Sequence, residues 1–98
     1  MDISPPMVFT EICRQFHQDI DKVCPDLESM ADFAVKGLRA REREILSTFL
    51  DELLGGQFTK GEIRAVWRRS PADVYFRDVD QLINLLRLIR ARLTSQDA

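Results

Sequence analysis

The 98-residue chain has little of what most enzymes are built from. It carries one histidine, His17, and two cysteines, Cys13 and Cys24. A His-paired nucleophile would have to be assembled around His17. The nearest thiol, Cys13, lies four residues earlier on an apolar stripe and reads as a small core residue, because a reactive thiolate needs a polar, stabilising surround. His17, Asp19 and Asp21 lack a cysteine or second histidine at ligand spacing, so zinc is not expected. They also lack the twelve-residue calcium-loop pattern. Glycine is scarce, at four residues, and Gly55-Gly56 has neither a phosphate-cradling motif nor a preceding strand. Four glycines and four prolines exclude collagen-like or linker character. No apolar run approaches the ~20 residues of a membrane span. Met1 to Pro6 contains Asp2 and no basic stretch, unlike a secretory signal. The expectation is a cytoplasmic, non-enzymatic protein with reduced thiols, no cofactor and no metal. The net charge of −2 argues against a general polyanion binder.

What the sequence does have is helical periodicity. With 45% hydrophobic residues, it is suited to one small globular domain. Phe9, Ile12, Cys13, Phe16 and Ile20 recur at i, i+3, i+4 and i+7, predicting a helix over about 5–18, with Ser4 as cap and Pro5 at the first position. A second helix, about 26–37, has Leu27, Met30, Ala31, Ala34 and Leu38 on one face. Its cap is Asp26, or Ser29 if the Ser29–Asp32 spacing is a capping box. A third, about 40–54, carries Ile45, Leu46, Phe49, Leu50, Leu53 and Leu54, and Gly55-Gly56 stops it. Thr59 and Glu62 form a capping box for a short helix over 60–69, with Ile63, Val66 and Trp67 inward. After Ser70-Pro71, the apolar run Val74-Tyr75-Phe76 is expected to fold back over the core; self-association through it is the alternative. Asp78 or Asp80 caps the last helix, about 79–94, whose broad apolar face places it centrally in the core. The fold class is all-α: a bundle of about five helices, the short one closing an end.

The net charge conceals an asymmetry. Residues 1–35 carry seven acidic and two basic side chains, while the remainder carries nine acidic and twelve basic. Acids at a helix start suit the macrodipole, which accounts for Asp26, Glu28 and Asp32. Asp19 and Asp21 follow a helix C-terminus, where negative charge is unfavourable. They are the leading candidates for a partner surface. The opposite candidate is basic: Arg64, Arg68, Arg69 and Arg77, a nucleic-acid face if helices four and five formed a helix-turn-helix. The 70–77 linker exceeds the usual turn, and helix five is too apolar to read a groove, so nucleic acid is the alternative reading.

Phe16-His17-Gln18-Asp19, then Asp21 after one apolar residue, resembles the signature of the small helical immunity proteins of bacterial contact-dependent growth inhibition and related polymorphic toxin systems. The order of helices from Leu27 to Leu93 follows the same pattern, with Phe33 in the second helix and Ile89 and Leu93 in the last. Ile20 replaces the family's frequent Trp, and Cys24-Pro25 replaces its usual Thr/Ser-Pro. The resemblance implies a protein that binds a cognate toxin domain, often a nuclease, and blocks it. Asp19 and Asp21 are then the first contact candidates, followed by Glu28 and Asp32; His17 is expected to bond a loop carbonyl or carboxylate near the helix end, with contact duty as its alternative. The chain itself is expected to be a monomer.

Overall fold

The computed structural model describes residues 5–16, 26–72, 76 and 78–94. Among them are five helices and no strand: α1 Met7–Cys13, α2 Leu27–Val35, α3 Ala40–Leu54, α4 Lys60–Arg69 and α5 Val79–Thr94. The fold is an all-α bundle in a single globule. Its 12.5 Å radius of gyration matches the ~13 Å of a compact chain of about 100 residues.

Local chemistry sets most helix ends. Asp26 starts α2, its carboxylate accepting the Ser29 N–H at 2.8 Å, so the cap is Asp26 and not Ser29. α2 ends at Lys36, which is extended at ψ 128°, and Gly37 completes the turn with φ +84°, a conformation that residues with a Cβ rarely adopt. Glu42 reaches back to accept the Arg39 N–H at 3.0 Å at the start of α3. Thr59 and Glu62 form a reciprocal box at α4, at 3.1 and 2.7 Å. Asp78 accepts the Asp80 N–H at 2.9 Å and so caps α5.

The first helix is shorter than the 5–18 expected from periodicity. Pro6 sits at its N-cap with ψ 160°, and its ring disfavours a helical Pro5, which therefore does not open the helix. At the other end, Gln15 N–H bonds Ile12 O and Phe16 N–H bonds Cys13 O. These i→i−3 bonds tighten the chain into a turn after Cys13. The periodic position of Phe16 is nonetheless kept: it is fully buried although it lies outside the helix.

The core is organised around α5. Leu82, Ile83, Leu85, Leu86, Ile89 and Leu93 are all buried, and α5 packs against α2, α3 and α4. A helix that is apolar over so wide an arc needs neighbours on several sides. Meanwhile α1 lies against α2 and α3, where the Phe9 and Phe49 rings are 5.0 Å apart. Trp67 on α4 touches Phe16 at 5.5 Å and Phe76 at 5.8 Å, tying the residues after α1 and those before α5 to one ring. Phe76 is thus folded onto the core, whereas Val74 and Tyr75 lie outside the described residues.

One predicted core position is an error. Ile45 is 41% exposed. The buried arc of α3 centres on Leu46, Leu50 and Leu53, and a step of one residue rotates Ile45 by about 100° out of it. Leu54 and Leu88, at the edges of their stripes, are half-buried.

Leu85 is wholly enclosed at the centre of α5. Leu85→Ala is expected to cost about 2–5 kcal/mol, the range for a cavity left in a packed core. Chemical denaturation checks this, with Asn84→Ala on the exposed side as a control expected to stay within about 0.5 kcal/mol.

Candidate functional site

The acidic candidates divide into two groups. His17, Asp19 and Asp21 lie outside the described residues. Glu28 and Asp32 lie one turn apart on the exposed side of α2. Phe16, the first residue of the distinctive run, is buried against Trp67. The chain re-enters the described structure at Asp26, whose carboxylate accepts from the Ser29 backbone. That bond holds the Asp26 carboxyl below its ordinary range.

Glu28 and Asp32 are not bare charges. Arg92 on α5 donates from Nε to Asp32 Oδ1 at 2.6 Å, and its Nη2 lies 3.6 Å from Glu28 Oε1. The Asp32 hydrogen bond is the main reason the Arg92 pKa is raised further, so the guanidinium stays charged. The Arg92 backbone carbonyl accepts from Arg43 Nη2 of α3 at 2.9 Å. This carbonyl is one of those that a helix C-terminus leaves without an intrahelical donor. Arg92 therefore joins α2, α3 and α5. Arg43 Nε, by contrast, is buried with no hydrogen-bond partner among the described residues.

Beside Glu28 runs an open groove of about 550 Å³, lined by Asp26, Leu27, Glu28, Asn84, Arg87 and Leu88. Leu27 and Leu88 are half-buried, while the four polar residues are exposed. The groove follows the seam between the start of α2 and the middle of α5. Its acidic side includes Asp26, where the described chain resumes.

The basic candidates are partly engaged in the fold. Arg64 is half-buried, and its Nη2 donates to the Phe76 carbonyl at 3.4 Å. Arg69 Nε donates to the Ala65 carbonyl of its own helix. Arg68 is exposed, and Arg77 lies outside the described residues. The apolar face of α5 is the centre of the core, while Gln81, Asn84 and Arg87 are exposed.

Cys13 is a free thiol, fully buried, within hydrogen-bonding reach of Ser70. Burial pushes its pKa up to about 12, an effect the Ser70 hydrogen bond only partly offsets. A thiol in this state is a poor nucleophile. Among the described residues, no three His, Cys, Asp or Glu side chains are grouped so as to hold a metal ion. No helix in the same set is long and apolar enough to cross a membrane.

Comparison against known family models, curated proteins and solved structures found no match for the chain.

Sequence reasoning missed Arg92. It explained Glu28 and Asp32 by the dipole at a helix start, with no reference to Arg92. The bond between Arg92 and Asp32 spans 60 positions, beyond the reach of any local pattern. Arg92→Met is expected to lower the melting temperature and to make it less dependent on salt, because a screened cross-helix attraction is lost. Thermal scans at low and high ionic strength check this.

Cys13 has a pH signature. Its folded pKa lies above the unfolded value near 9.0, so the stabilisation is full below pH 9 and is lost as the pH rises toward about 12. Denaturation between pH 8 and pH 11 is expected to show a smaller alkaline loss of stability in Cys13→Val than in the parent protein. Equal losses would place the alkaline sensitivity elsewhere.

Proposed function

We propose that this chain is an immunity-type inhibitor, a small helical protein that binds a toxin domain and neutralises it without catalysis. The observation that carries the reading is the run Phe16-His17-Gln18-Asp19 with Asp21, which resembles the immunity-protein signature. The surroundings of that run support it. Its aromatic first residue is anchored in the core, and the acidic start of α2, with the groove beside Glu28, follows it in the sequence. A toxin domain with a basic cleft would be drawn by Asp19 and Asp21, because complementary charge raises the encounter rate and suppresses wrong partners. Glu28 and Asp32 contribute less to that attraction while Arg92 covers them, so they take second place as contacts.

The reading is tested by co-expressing the chain with the toxin domain encoded immediately upstream. Cells are expected to survive, and a complex is expected in pulldown. Continued killing with no complex would remove the proposal. In a complex so isolated, reversing Asp19 and Asp21 to Lys is expected to weaken binding by about tenfold or more and to steepen its loss at low salt. The helical circular dichroism should be unchanged. Unaltered affinity would move the interface away from the run.

A further inference from the structure

The outward side of α3 carries a second, independent feature. Arg41, Ile45, Thr48 and Glu52 are separated by four, three and four residues. On a helix this spacing gathers them in a stripe about 60° wide. All four are exposed, on the side of α3 away from Leu46, Leu50 and Leu53. Ile45 is one of two large apolar side chains exposed among the described residues, Met7 being the other. Next to it is a shallow depression of about 310 Å³, lined by Arg41, Glu44, Ile45 and Thr48.

Neither Arg41 nor Glu52 has an ion pair among the described residues. Of the nearby charges, Asp51 is engaged with Arg90 at 3.5 Å and Glu42 with the Arg39 backbone, while Glu44, at the edge of the stripe, has no ion pair among the described residues. The stripe is symmetric about the midpoint between residues 46 and 47. Ile45 and Thr48 lie equally far from that midpoint, as do Arg41 and Glu52, which have opposite charges. Such a pattern is self-complementary. About a two-fold axis at the midpoint, two antiparallel α3 helices would bring Ile45 over Thr48 and Arg41 onto Glu52, at both ends. A parallel arrangement would set Arg41 against Arg41 and Glu52 against Glu52.

We propose that this face of α3 is a docking surface for a second copy of the chain, joined antiparallel along the Arg41–Ile45–Thr48–Glu52 stripe. The occupant follows from the charge pattern, since a chain with these end charges is its own complement. Fifteen residues of helix extend about 22 Å, a contact in the small, transient class of interfaces. The association is therefore weak, driven by concentration and sensitive to salt. It does not depend on the toxin-binding reading, because it uses a different helix and needs no partner.

The test is analytical ultracentrifugation of the full chain from about 10 μM to about 1 mM at low salt, a span that covers weak dissociation constants. The parent protein is expected to pass from monomer toward dimer. Arg41→Glu and Glu52→Arg each set like charges together at both ends of the contact. Each is expected to raise the dissociation constant about tenfold or more. The double variant swaps the two charges and restores the pairing, so its dissociation constant should return close to that of the parent. Circular dichroism of all three variants should be unchanged, because both residues are exposed. A parent protein that stays monomeric at about 1 mM overturns the proposal. A dimer indifferent to the single substitutions also overturns it, as does a double variant no better than the singles, since either places the contact on another face.

Discussion

The structure depends on the burial of α5. Its sixteen residues present six buried side chains over an arc too wide for one neighbour to cover. Three helices are therefore needed to keep them from water, and α2, α3 and α4 take those places. At roughly 1.5–3 kcal/mol for each large apolar side chain removed from water, this arc is the largest single source of stability in the described structure. The remaining packing follows from it. Helix α1 packs on α2 and α3, and Trp67 gathers the residues after α1 and those before α5.

That constraint also fixes where the polar chemistry falls. Because α5 lies between α2 and α3, its C-terminal turn is the place where one arginine can reach both. Arg92 does so by two different groups, its guanidinium toward Asp32 and Glu28 and its carbonyl toward Arg43. The ion pairs are exposed and contribute little to stability. Their larger consequence is electrostatic: they reduce the negative field of α2.

Much of the bundle was legible in the sequence, for reasons that can be named. Caps act locally, so Asp26, Thr59–Glu62 and Gly37 mark helix ends wherever the chain goes afterwards. A stripe of period 3.6 identifies the inward face of α5 without knowledge of its neighbours. The same logic failed at Ile45, because a run of adjacent apolar residues leaves the direction of the buried arc undetermined to within one step of about 100°. It overextended the first helix because Phe16 keeps the period while the backbone has already tightened into a turn. For the site, charge counting singled out the acidic N-terminal third, but the Arg92 clasp depends on contacts between residues 60 positions apart, which follow only from the folded topology.

The most direct test of this account is native-state hydrogen exchange followed residue by residue. If α5 is the element on which the others are assembled, the amides of Leu85, Leu86 and Ile89 open only with global unfolding. Their protection free energies should equal the stability measured by denaturant, while those of α1 fall lower. Exchange of the α5 amides through a local opening well below the global value would contradict it, since the common wall of the bundle would then be a dispensable part.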